Sequence, residues 1–106
     1  MIVRNENEFV QLTKDSKLED NNELFRIRNS GGIVKSATTH NPTAKLIWIK
    51  EIPVLAMTRS IGDYQAHQVG VIAEPDVREY QYTKEDKMVV MASSGLFSVL
   101  SNAEVA

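Results

Sequence analysis

Residues 8–13 (EFVQLT) alternate Phe9, Gln11 and Thr13 against Val10 and Leu12, the two-residue period of a short, half-buried strand. A helix follows in the pattern over 14–32. Asp20 or Asn21 can cap it, Glu23 suits its first turn, and Leu24, Ile27 and Phe25 supply an apolar face. Gly31 and Gly32 should end this helix after about two to three turns, because glycine accepts the left-handed conformation at a helix C-terminus. Residues 35–44 (KSATTHNPTA) are polar and turn-rich, a surface loop, and 45–50 (KLIWIK) read as a strand.

Residues 55–66 (LAMTRSIGDYQA) predict a turn or short helix. In 69–77, Gly70 and Pro75 favour an irregular edge over a central strand. The clearest hairpin joins 77–82 to 88–92 through the polar turn TKED. After Gly95, 96–101 and 102–106 suggest helix, with Asn102 the N-cap of the last, which stops after barely a turn. No repeat or low-complexity tract interrupts the chain. The organisation expected is mixed α and β with antiparallel pairing.

Composition narrows the function classes. The chain has 106 residues, 42% hydrophobic and 25% charged, which suits one packed domain at the small end of self-sufficient cores. A net charge of −2 provides no basic field for nucleic acid or an anionic membrane, so neither partner is expected. No apolar run approaches a membrane span, and there is no cysteine for a disulfide framework or a thiolate metal site. An intracellular, cytoplasmic protein is expected.

Candidate chemistry is sparse. His40 and His67 lack partners at ligand spacing, so both are expected at the surface rather than on zinc. Asp63 in a Gly-Asp turn is expected to bind nearby backbone N–H groups. Arg59 could take a substrate phosphate, but pairing with an internal carboxylate such as Asp63 or Glu74 is the favoured reading. Asp76, Glu79, Glu85 and Asp86 read as a solvated acidic face, and Trp48 between Ile47 and Ile49 as core. Ser93-Ser94-Gly95 lacks the Gly-x-Ser-x-Gly frame of a nucleophile elbow.

Three stretches in register resemble the protein phosphatase 2C (PPM) family. In the first, Asp15, Lys17, Glu23, Arg26, Ile27, Gly31 and Gly32 agree with the family pattern, while Ser16 and Leu18 replace its His and Pro. In the second, Arg59, Gly62, Asp63, Glu74, Pro75 and Val77 stand where the family's Arg, Gly-Asp and Glu-Pro-x-Val segments do, and Val54 replaces a Gly. In the third (KEDKMVVMASSGLFSVLSNAEV), Ala92, Ser93 and Gly95 match, Phe97 and Ser98 replace Trp and an acid, and Ser94 occupies the position of a family metal-binding Asp.

The resemblance implies an α+β fold, a partial PPM-type antiparallel β-sandwich flanked by helices, filling 1–106 as one incomplete domain without a second. The family's reaction uses two Mg²⁺ or Mn²⁺ ions, held mainly by Asp carboxylates, to activate the attacking water. The other family ligands belong to an Asp-Gly-His-Gly-Gly motif and an Asp-Asn motif, neither present here. For this chain no catalytic residue, no metal ligand and no cofactor are therefore expected. Arg59, Gly62, Asp63, Glu74, Pro75 and Gly95 are expected to be structural. Three readings stay open: a phosphatase-like domain inactive as this chain, an interaction subunit whose sheet a protein partner or missing domain half completes, or a piece of a longer enzyme.

Overall fold

The computed structural model describes residues 1–36 and 44–106. His40 and all of the predicted 35–44 loop except Lys35, Ser36 and Ala44 lie outside the described residues. The chain divides into two compact units, one of residues 1–14 and 77–106, the other of 15–76.

The first unit is built on a strand that the hydrophobic pattern did not predict. β1 (Ile2–Asn5) turns through Asn5-Glu6-Asn7 into β2 (Glu8–Val10), which is shorter than the six-residue strand expected there. The Asn5 side-chain oxygen accepts from the Asn7 N–H at 2.9 Å, an Asx turn that reverses the chain. Met1, Ile2 and Val3 are buried, so this end of the chain carries the unit's core. β1 pairs antiparallel with β2 on one side and with β6 (Met88–Val89) on the other, in the order β2-β1-β6.

That pairing overturns the hairpin predicted between 77–82 and 88–92. The turn forms, with Asp86 N–H donating to Thr83 O at 3.2 Å, yet 77–82 adopts no strand. The backbone of 87–90 goes to β1 instead. Lys87 N–H donates to Val3 O and Val90 N–H to Met1 O, each at 2.9 Å, and the terminal ammonium donates to Val90 O at 2.8 Å. Local hairpin propensity loses to a non-local strand that brings buried apolar side chains. The unit ends in α3 (Ser94–Phe97), capped by Ser93, and α4 (Asn102–Val105), which packs beside β2. The cap of α4 is Ser101, not Asn102. Ser101 and Glu104 form a reciprocal capping box, while Asn102 Nδ2 donates to Gln11 Oε1 at 3.2 Å.

The second unit opens with α1 (Asn21–Asn29). Asp20 is its N-cap, accepting from Asn22 N–H at 2.9 Å, and Ser30 and left-handed Gly31 (φ +85°) end it where the sequence placed the stop. β3 (Ile33–Ser36), β4 (Lys45–Ile49) and β5 (Ile52–Leu55) form an antiparallel meander in that order. β5 was not predicted. Pro53 argues against a central strand, and the structure puts β5 at the sheet's edge, where a missing N–H is tolerated. α2 (Tyr64–His67) follows. Leu18, Ile27, Ile47, Ala66, Val69 and Val71 form the core, with Leu24, Val34, Ile49, Val54 and Leu55 half-buried against it. Strand alternation puts Ile47 inward and leaves Trp48 only half-buried, its ring covered by Lys35 Nζ at 5.1 Å, which corrects the reading of Trp48 as core.

The fold class is α+β, with two small antiparallel sheets and short helices. Among the described residues, no helix is long and apolar enough to cross a membrane.

Two glycines with positive φ separate backbone strain from crowding. A Cβ on Gly31 meets nothing within 4 Å, whereas on Gly70 (φ +92°) it would lie 2.8 Å from Ser30 Cβ and 3.1 Å from Arg26 O. Gly31→Ala should cost about 1–2 kcal/mol, the left-handed penalty of a residue with Cβ. Gly70→Ala should cost a further ~1–3 kcal/mol from overpacking, and paired urea titrations check the difference.

Candidate functional site

Among the described residues, the most heavily hydrogen-bonded side chain is the Glu23 carboxylate. Placed in the first turn of α1, it is favoured by the helix N-terminus, and it is 5% exposed. Arg26, three residues on and therefore on the same helix face, forks onto it, with Nη1 donating to Oε1 at 2.6 Å and Nη2 to Oε2 at 2.8 Å. Arg59 makes a second fork, from Nη2 to Oε1 at 2.7 Å and from Nε to Oε2 at 3.2 Å. The hydroxyl of Thr58, wholly buried, also donates to Oε2.

The cations reach further. Arg26 donates from Nε to Gly70 O at 2.8 Å and from Nη2 to Thr58 O at 2.9 Å. Arg59 donates from Nη1 to Glu74 O at 3.0 Å and pairs with Asp76 Oδ1 at 3.1 Å. One carboxylate and two guanidinium groups therefore tie α1 to residues 58–59 and to the segment 70–76.

The arrangement is saturated. Five donors converge on a group with about four lone-pair sites, so Glu23 has no acceptor capacity to spare. Hydrogen bonds from Arg26, then from Arg59 and Thr58, hold its pKa well below the usual carboxylate range against the opposing effect of burial. It keeps no proton at neutral pH and cannot serve as a general acid. The Arg59 guanidinium is raised, chiefly by its hydrogen bonds to Glu23. Both of its faces are committed to protein oxygens, so it is not free for a substrate phosphate. The carboxylates it pairs with are Glu23 and Asp76, not Asp63 or Glu74 as proposed from sequence; Glu74 contributes its backbone oxygen and exposes its side chain.

The other residues singled out in the sequence are scattered. Gly62 has φ +81°, and the next residue, Asp63, caps α2 by accepting from Ala66 N–H at 3.2 Å. Pro75 is exposed. His67 is half-buried, not superficial, with Nε2 donating to Ser60 O at 2.9 Å. Ser94 is the exposed first residue of α3, its carbonyl accepting from the Ser98 hydroxyl, and Gly95 N–H donates to Ser93 Oγ at 3.4 Å.

Asp86 is the residue whose sequence reading most needs correction. Its side chain is 4% exposed, far from a solvated face. It accepts from Thr83 N–H at 2.8 Å, from Arg4 Nε at 3.0 Å and from the Tyr80 hydroxyl at 3.1 Å, and these bonds, the Thr83 backbone first, lower its pKa. Sequence inspection missed it because Arg4 lies 82 positions away. For Glu23 a local sign existed, the Glu-x-x-Arg spacing, but nothing local pointed to Arg59.

Divalent ions such as Mg²⁺ and Mn²⁺ need several anionic oxygens. Among the described residues, no three Asp, Glu, His or Cys side chains gather to hold an ion. Ser94 presents a neutral hydroxyl, and the buried carboxylates Glu23 and Asp86 are consumed by arginines. The residues described do not fit the metal pair that the family's chemistry implies.

The three residues of the clamp, Glu23, Arg26 and Arg59, are among those that carry the resemblance to the phosphatase motifs, and the whole sequence matches the same family. The family model "Protein phosphatase 2C" matches residues 1–106. "Probable protein phosphatase 2C 72" of Arabidopsis thaliana is 38% identical over 98 residues, which cover 91% of this chain and 29% of that protein. "Probable protein phosphatase 2C 61" of Arabidopsis thaliana is 40% identical, covering 95% of this chain and 31% of that protein. "Probable protein phosphatase 2C 38" of Oryza sativa subsp. japonica is 39% identical, covering 91% and 21% respectively. No solved structure matches the chain. The chain belongs to the protein phosphatase 2C family and spans less than a third of the length of these relatives.

Removing one member of a buried ion cluster strands the others. Glu23→Gln should lose about 3–5 kcal/mol at pH 7, read by urea unfolding. Because the folded Glu23 is more acidic than the unfolded one, its contribution is complete above the ordinary carboxylate pKa of about 4.3. That contribution drains away as pH falls towards the lower folded value. Wild type should thus lose stability on acidification below about pH 4.3 more steeply than Glu23→Gln.

Proposed function

We propose that this chain is a protein phosphatase 2C-type domain fragment that has no phosphatase activity by itself and serves as scaffold. The observation that carries this is Ser94. The residue stands where the family resemblance places a metal-binding Asp, and a hydroxyl in place of a carboxylate removes a charge that a hard dication requires. The lack of any gathered acid or imidazole triad among the described residues supports the same reading. Without a bound metal pair there is no activated water, and the arginines that could steady a phosphoryl group are closed onto carboxylates.

The purified chain, incubated with an aryl phosphate and Mn²⁺ or Mg²⁺, should show no turnover above buffer. Ser94→Asp should be equally inert, since it returns one carboxylate to a place where no others gather. Turnover by either protein that requires the metal and disappears on chelation would overturn the proposal.

A second reading is favoured by β6. It is an end strand of its sheet, Met88 and Val89 are more than half exposed, and Met91 beyond it is 93% exposed. An uncharged apolar edge of this kind suits completion by another polypeptide, which makes the chain an interaction subunit of a larger assembly. Under this reading the chain self-associates or aggregates when alone. Sedimentation as a compact monomer across micromolar concentrations, with one cooperative unfolding transition, would count against it.

A further inference from the structure

The two halves of the Arg59 guanidinium work in different surroundings. Nε and Nη2 face Glu23, whose side chain is 6% exposed, while Nη1 faces Glu74 O and the carboxylate of Asp76, whose side chain is 66% exposed. Salt screens exposed pairs and leaves buried ones largely untouched, so the two halves differ in how readily they release.

The outer half holds a segment with little else to hold it. Residues 73–83 carry no regular secondary structure. On the N-terminal side the last backbone anchor is Ser60 N–H to Ile72 O at 3.0 Å, beside the isolated Arg59–Ile72 bridge. Beyond it, among the described residues, come the Arg59 contacts to Glu74 and Asp76. The next tie is the Tyr80 hydroxyl, which meets Asp86 and Arg4 within its own unit. Between them Val77 is 82% exposed, Arg78 and Glu79 are exposed, and the division between the two units falls between Asp76 and Val77.

We propose that residues 73–79 form a strap latched by the outer half of Arg59, and that the latch opens without opening the Glu23 clamp. Release frees the segment through which the chain leaves the second unit, while the fork on Glu23 keeps residues 58–59 on α1. The strap is therefore a salt-sensitive conformational device, and Arg78 near its C-terminal end reports its state.

The test is trypsin cleavage after Arg78 in the folded full chain, read by mass spectrometry and normalised to cleavage of a free peptide of residues 73–83 in the same buffer. Wild type is compared with Asp76→Asn between low salt and about 0.5 M NaCl, where screening reaches within a few ångströms. At low salt Asp76→Asn should be cut about two- to fivefold faster, the range that loss of an exposed pair allows. Salt should raise the wild-type rate towards that of the variant and leave the variant unchanged, with the thermal midpoints of the two alike. Equal rates at low salt, or a wild-type rate indifferent to salt, overturn the latch. A midpoint lowered in Asp76→Asn as far as in Glu23→Gln overturns the separation of the two halves, because Asp76 would then belong to the clamp.

Discussion

A buried carboxylate cannot remain charged unless its surroundings replace the water it has lost, and in this chain two guanidinium forks and a threonine hydroxyl do so for Glu23. Much of the 15–76 unit depends on that solution. The arginines that neutralise Glu23 also take the carbonyl oxygens of Thr58, Gly70 and Glu74, groups that belong to no regular ladder. Irregular backbone around the short α2 is thereby satisfied without a strand or a long helix. The apolar core formed by Leu18, Ile27, Ile47, Ala66, Val69 and Val71 supplies burial, and the clamp supplies register. Gly70 shows the two acting together, since its carbonyl meets Arg26 while its missing side chain lets Ser30 close in.

The 1–14 and 77–106 unit reaches a smaller version of the same answer. Asp86 is shielded and held by Arg4, Tyr80 and the Thr83 N–H, and Arg4 also meets Glu8 across the first turn. One arginine on β1 thus joins the β1–β2 hairpin to the turn that precedes β6. It also explains why 77–82 does not pair as a strand, because Tyr80 is fastened through its side chain and the backbone of 87–90 is already engaged by β1.

What the sequence made legible was local. The caps and stop of α1 could be read from Asp20 and Gly31, since capping chemistry acts within a turn. The strand at 45–49 could be read from its apolar run. β1 was hidden because its two apolar residues precede a polar turn, and β5 was hidden by Pro53, harmless only at an edge that periodicity does not reveal. Arg59 and Arg4, the distant partners of Glu23 and Asp86, lie 36 and 82 residues away, and no window along the chain reports such pairs. The family resemblance did mark Glu23, Arg26 and Arg59 as motif residues, but it gave no indication that they are one cluster.

That the motif residues are one cluster bears on how scaffold and chemistry separate in this family member. Glu23, Arg26 and Arg59 sit in the unit of residues 15–76 and satisfy one another, while Ser94 sits in the other unit at the exposed start of a four-residue helix. The helix is capped by Ser93, and the structural bond at position 94 is made by its backbone carbonyl, not its side chain. Exchanging Asp for Ser there leaves each of those contacts in place. Exchanging Glu23 would leave two cations facing each other in a half-buried pocket. A change at 94 is therefore nearly invisible to folding, whereas a change at 23 is not.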